Sequence, residues 1–126
     1  DLMATFASIS GFKLPAGSAE DSHDLLPVFK FGAPSPRRTI VHNTSANSYA
    51  LRHDQWLLVA AKTGAVSKVP VEFDQTNHYT PHDQPGELFD LSRDVAQRDN
   101  LYAKEPKIVA ELGALLKTVR QRGQVR

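Results

Sequence analysis

Ile108, Val109, Leu112, Leu115, Leu116 and Val119 recur at the i, i+3, i+4, i+7 spacing of one helical face. A helix with such a stripe needs an apolar surface to cover, because packing rather than propensity supplies most helical stability. Pro106 fits its first turn, where the missing N–H costs nothing. The helix is placed over 104–122. Gly113 inside it costs about 1 kcal/mol relative to alanine. The rest of the chain has to provide the surface that this stripe buries.

Four segments read as strands that build that surface. Thr39-Ile40-Val41-His42 is rich in β-branched residues, and the polar turn Asn43–Asn47 follows it. Tyr49–Arg52 alternates, as a strand with one wet face does. Gln55–Ala60 is nearly all apolar and belongs at the sheet centre; His53-Asp54 turns between the two. Glu87–Leu91 is the last strand. Trp56 and Phe89 are core candidates. Upstream, Asp1 is placed to cap a helix carrying Leu2, Met3, Phe6, Ala7 and Ile9, which Gly11 ends. Asp24 is placed to cap a short helix over Leu25–Phe29, and Gly32–Pro36 breaks the chain again.

The expected fold class is α+β. A small antiparallel sheet of three to four strands packs against the C-terminal amphipathic helix, with an N-terminal helix before it. The 126 residues suffice for one domain. Its parts are helix and linker over 1–36, sheet over 37–91 with a long loop over 62–86, and the helix over 104–122. A loop of that length is uncommon in a compact domain unless it has a function.

Charge and composition exclude several classes. The net charge of +1 argues against a nucleic-acid binder, which needs a concentrated basic face. Lys117, Arg120, Arg122 and Arg126 form a basic tail, but no aromatic residues interleave to stack bases. They suit a helix C-terminus, where cations interact favourably with the dipole. The absence of cysteine excludes disulfides, thiolate zinc sites and a cysteine nucleophile. No apolar run approaches the roughly 18 residues of a membrane span. A first residue already inside an apolar pattern suggests a processed or truncated product.

Five side chains are the candidate substrate contacts: His42, Asn43, His53, His78 and His82. His42, Asn43 and His53 sit at strand ends, where a polar group can face a cleft or bond its own turn. His78 and His82 have His-x-x-x-His spacing. That pair suits a metal only on a helix, and Pro81 opposes one. No nucleophile with an adjacent base accompanies any of them, so no catalytic and no metal residue is assigned. Ser45, Ser48 and Ser92 lack the Gly-x-Ser-x-Gly elbow of a serine hydrolase.

Several segments, in order, resemble the closing part of type I sulfatases, the arylsulfatase-like hydrolases. Asp1–Thr5 with Ile9-Ser10-Gly11 resembles the helix after the sulfatase catalytic core, with Ala4 where proline is usual. Leu25–Phe29 resembles an "sLlPll.G" segment, and Arg38–His42 the strand after it. Tyr49–Arg52 and Trp56–Leu58 resemble "yaiR.gdwKyi". Gly86–Leu91, Asp94 and Asn100-Leu101 resemble "gELYDL..D..E..NL" before the last helix.

The resemblance implies a C-terminal subdomain of a sulfuric ester hydrolase. In that family a Cys or Ser in C/S-x-P-x-R becomes formylglycine, and calcium or magnesium binds the sulfate. Ser35-Pro36-Arg37-Arg38 does not match, because Arg37 stands where the proline is required. No cofactor is therefore expected in this chain, and by itself it is expected to be inactive. The implied partner is the catalytic domain of a parent enzyme, or a second copy. Leu2, Met3, Phe6 and Ile40 would otherwise lie uncovered. Family members are often periplasmic or secreted, but nothing in the residues fixes a compartment. The alternative is a stand-alone, non-enzymatic binding module that presents the 62–86 loop. A small hydrolase built on His42, His53 or His78 is a third.

Overall fold

The computed structural model describes residues 1–45, 47–62, 71–76 and 82–123. Its elements are α1 (Leu2–Ser10), α2 (Leu26–Phe31), β1 (Thr39–Ser45), β2 (Ser48–His53), β3 (Trp56–Val59), α3 (Val71–Thr76), β4 (Glu87–Asp90) and α4 (Pro106–Arg122). This is the α+β arrangement expected. Two compact units divide the chain: residues 1–38 with 119–126, and residues 39–118.

In the second unit the four strands form one antiparallel sheet in the order β1-β2-β3-β4. The apolar β3 and the alternating β2 are the central strands. Register assigns the faces. Leu51 pairs with Leu58 and Leu58 with Leu88, so these three share one face. Leu112 and Leu116 of α4 complete the cluster with them, while Val41, Tyr49 and Trp56 pack around it. The helical stripe thus buries against the sheet face made by every second strand residue. The opposite face carries Ile40, His42, Ala50, Arg52, Leu57, Val59, Glu87 and Phe89. Phe89 is buried there.

The two hairpin turns of the β1–β2–β3 meander use left-handed backbone. Asn47 has φ 65 between β1 and β2, and Asp54 has φ 51 between β2 and β3. Both residue types tolerate this region because their short polar side chains bond locally.

The outer edge of β4 is sealed by the chain that follows it. The Asn100 Oδ1 accepts from the Leu88 N–H at 3.1 Å and from the Tyr102 N–H at 3.0 Å. Its Nδ2 donates to the Gly86 carbonyl at 3.4 Å. The Leu101 N–H then donates to the Leu88 carbonyl at 2.8 Å. Gly86 must be glycine for this approach. A Cβ there would stand 2.7 Å from both the Val59 carbonyl oxygen and the Tyr102 ring. Beyond the strand, the Asp90 carboxylate accepts from the Ser92 hydroxyl at 2.6 Å and from the Ser92 N–H at 3.0 Å. The hydroxyl bond holds the Asp90 carboxyl below the usual carboxylate range; burial opposes it, and the Ser92 amide and Arg93 guanidinium reinforce it.

In the first unit α1 ends as expected, with Gly11 at φ 70 and the Phe12 N–H returning to the Ala7 carbonyl at 2.9 Å. Its start differs from expectation. Asp1 holds the cap position, but its carboxylate makes no capping bond. It pairs instead with the Arg37 guanidinium and accepts from the His23 N–H at 2.9 Å. A fixed guanidinium with two donors outcompetes the first-turn amides. Thr5 adds a second tie: its hydroxyl donates to the Asp1 carbonyl at 2.8 Å and accepts from the Leu25 N–H at 3.0 Å. α2 starts one residue later than expected, and Asp24 meets the Leu26 N–H at 2.8 Å.

Most of α1 faces outward. Leu2, Met3, Phe6 and Ile9 are each more than half exposed, as are Phe12, Phe29 and Phe31. Ile40, in the other unit, is half-buried rather than exposed.

Candidate functional site

The four described candidate residues do not converge on one site. His78 lies outside the described residues, as does Arg126 of the basic tail. The other four occupy three places on the sheet.

His53 and Asn43 fall on the face that carries the core. The His53 Nδ1 shares a hydrogen bond with the Thr39 hydroxyl at 2.8 Å, across the β1–β2 pair. Its Nε2 lies 3.8 Å from the Asp54 carboxylate. The Nδ1 of His53 is thus engaged within the β1–β2 pair itself. Asn43 is exposed near the far end of β1, with its amide 3.5 Å from the Ser48 carbonyl. These two residues hold turns.

His82 has a partner that pattern reading missed. Its Nε2 lies 2.9 Å from the Glu87 carboxylate, whose side chain is 4% exposed. The Gln84 N–H donates to His82 Nδ1 at 3.2 Å. A ring nitrogen that accepts from an amide carries no proton, so Nε2 carries it and donates to Glu87. The buried carboxylate thereby has the partner it needs. The same bond closes the 82–87 turn onto the start of β4. One ring nitrogen of His82 thus meets the backbone and the other meets Glu87.

His42 is exposed and stands on the second sheet face, in the row His42, Ala50, Val59, Glu87 that crosses all four strands. Beside it runs a groove of about 270 Å³ whose lining includes His42, Ser48, Ala50, Leu57, Val59 and Gln97. No Lys, Arg, Asp or Glu lines this groove among the described residues.

Six residues of the long 62–86 excursion, Val71–Thr76, form a helix where the sequence suggested loop. Among the described residues no group of three His, Cys, Asp or Glu side chains is gathered to hold a metal ion. The sequence has no cysteine and no serine in the C/S-x-P-x-R pattern. The sequence motif and the described residues do not fit a formylglycine centre with its cation.

No protein-family model matches the chain. An N-acetylgalactosamine-6-O-sulfatase of Bacteroides thetaiotaomicron is 28% identical over 122 residues, covering 97% of this chain and 23% of that protein. A solved structure from a versatile core genetic locus for glycosaminoglycan metabolism in Bacteroides thetaiotaomicron superposes with a TM-score of 0.71. It is 25% identical and covers 96% of this chain and 24% of its own. Over nearly its whole length the chain is similar to part of a sulfatase. It spans about a quarter of the length of the relatives it matches. A 2-O GAG sulfatase shares the fold at a TM-score of 0.61 and 21% identity, again over 24% of its length.

Proposed function

We propose that this subdomain is the closing scaffold of a sulfuric ester hydrolase and does not hydrolyse sulfate esters by itself. One observation carries the reading: 97% of the chain aligns with only 23% of a sulfatase. Its role is then to complete the enzyme around a catalytic domain that supplies the reactive groups. Sulfated saccharides are the substrate class of the whole enzyme on this reading, by analogy with the N-acetylgalactosamine-6-O-sulfatase. The test is an aryl sulfate assay on the isolated chain with calcium added. No sulfate release above the protein-free blank is expected, and clear turnover would refute the reading.

The partner surface is supplied by the first unit. Leu2, Phe6 and Ile9 line one side of α1 at i, i+4, i+7, and all are more than half exposed. Exposed apolar patches of this kind mark interaction sites. In the whole enzyme the catalytic domain covers them. In the isolated chain a second copy does, and a symmetric dimer is the simplest closed arrangement. Sedimentation velocity is expected to show a concentration-dependent dimer, which the double substitution Phe6→Ser with Ile9→Ser returns to monomer. Strictly monomeric behaviour of the unsubstituted chain at high concentration would remove this surface from the argument.

A further inference from the structure

The apolar face of α1 stands on a helix that has little of its own to hold it. Nine residues are too few for a helix to persist in water unaided. Its first turn has no acidic residue, its last turn has no basic one, and Asp1 makes no capping bond. Thr5 and Ala7 are its buried residues, so the inner side buries little apolar surface, while Leu2, Phe6 and Ile9 are exposed.

A polar clasp takes the place of packing, with Arg37 at its centre. The Arg37 Nε donates to the Asp1 carboxylate at 2.6 Å. Its Nη2 donates to the other oxygen of that carboxylate and to the Asp21 carbonyl. One planar guanidinium thus ties residues 1, 21 and 37 together, and the two side chains of the ion pair are only 16% and 20% exposed. Further bonds stitch the start of α1 to the segment held in this way. The His23 N–H donates to the Asp1 carboxylate, the Ala4 N–H to the Ser22 hydroxyl at 2.9 Å, and the Leu25 N–H to the Thr5 hydroxyl.

We propose that Arg37 is the latch of the docking surface: α1 is ordered, and its apolar face is available to a partner, only while the Asp1–Arg37 clasp is closed. This rests on the reading of α1 as the partner surface and adds the device that controls it. When one state of a two-state element binds and the other does not, the population of the first sets the apparent affinity. With the clasp open, Leu2, Phe6 and Ile9 remain in the chain but no longer share one face. Lysine is no substitute for Arg37. It offers one compact charge where the guanidinium fork spans both carboxylate oxygens and the Asp21 carbonyl.

The experiment applies hydrogen exchange and sedimentation velocity to the 126-residue chain and to Arg37→Gln. In Arg37→Gln, at concentrations below the Kd of the dimer, the Phe6–Ile9 amides are expected to exchange about 30-fold faster, the loss of one charge-assisted hydrogen bond. The Kd of the dimer is expected to rise about ten-fold or more, although every apolar residue of α1 remains. The urea midpoint by Trp56 fluorescence is expected to hold, because Trp56 packs against the sheet cluster. Lys13→Gln removes the same charge from an exposed residue outside the clasp, and it is expected to match the unsubstituted chain in both readouts. Arg37→Lys is expected to keep less than half of the protection that Arg37→Gln loses. Should Arg37→Gln lose the fluorescence of a folded sheet, Asp1→Asn takes its place with the same readouts, since it leaves Arg37 its bond to the Asp21 carbonyl. The proposal is overturned if the variant's α1 amides keep their protection, if they lose it and the dimer is unchanged, if the Trp56 midpoint falls with them, or if Lys13→Gln has the same effect. A strictly monomeric unsubstituted chain refutes the surface reading and this inference with it. Protected α1 amides in a variant that still dimerises refute this inference alone.

Discussion

Leu51→Ala is expected to lower the unfolding free energy of the sheet unit by about 3–5 kcal/mol, the upper part of the range for buried leucines. Leu51 is 0% exposed and lies on β2, a central strand. It faces Leu58 across the β2–β3 pair and belongs to the cluster that includes Leu112 and Leu116. Truncation removes three carbons from a site walled by a hydrogen-bonded sheet on one side and a helix on the other. Neither wall closes easily over the cavity, so the cavity cost adds to the transfer cost. Set against the 5–15 kcal/mol usual for a whole domain, the loss is a large fraction. Trp56 is the only tryptophan and packs against this cluster, so its fluorescence in urea reports the sheet unit directly. The midpoint is expected to fall without a change in slope. Phe31→Ala is the control: Phe31 is 81% exposed, and its loss is expected to stay within about 0.5 kcal/mol. A Leu51→Ala effect below about 1 kcal/mol would mean that the α4 stripe is not clamped by this sheet face.

Periodic features are legible because they repeat. The α4 stripe, the alternation of β2 and the apolar run of β3 each sample one face several times, so single exceptions such as Gly113 do not hide them. Gly11 is legible for a different reason: ending a helix in left-handed backbone leaves few choices. Single contacts between distant residues leave no such trace. Asp1 was readable as a cap, but Arg37, thirty-six residues on, takes its carboxylate. Val71–Thr76 is under two turns long and has no periodicity to read.

The candidate site divides in the same way. The sequence places both His42 and His53 at strand ends, but β1 runs on to Ser45 and leaves His42 mid-strand, and the two face opposite sides of the sheet. Only the pairing register decides this, because a one-residue slip exchanges the faces. His82 was singled out for spacing to His78, whereas its partner is Glu87, a charged residue of a type rarely buried unless paired. Gln97 lines the groove beside His42, and its N–H donates to the Asp94 carbonyl; the pair left a signal that pattern reading did not use. An aspartate three residues before the turn's end is a common way to hold such a loop.

Asn100→Ala is expected to cost about 2–4 kcal/mol, although the side chain removed is small and lies at the sheet's edge. One oxygen of Asn100 satisfies two backbone donors, the N–H groups of Leu88 and Tyr102. Leu88 is 0% exposed, so water does not readily replace the lost acceptor there. Each orphaned donor costs about 1–3 kcal/mol when buried, with the Tyr102 amide at the lower end because Tyr102 is only half-buried. The amide's bond to the Gly86 carbonyl, at 3.4 Å, is long and contributes less. This ranking yields a second variant. Asn100→Asp keeps the acceptor for both amides and loses only the weaker donor, so it is expected to cost less than half as much as alanine near neutral pH. Urea midpoints by Trp56 fluorescence compare the two, and hydrogen exchange at the Leu88 amide reads the bond itself. In Asn100→Ala that amide is expected to exchange faster than the Leu58 amide on the neighbouring strand. If aspartate proves as costly as alanine, the donor to Gly86 rather than the shared acceptor holds the edge. If Leu88 keeps its protection in Asn100→Ala, the seal on β4 comes from Leu101 alone.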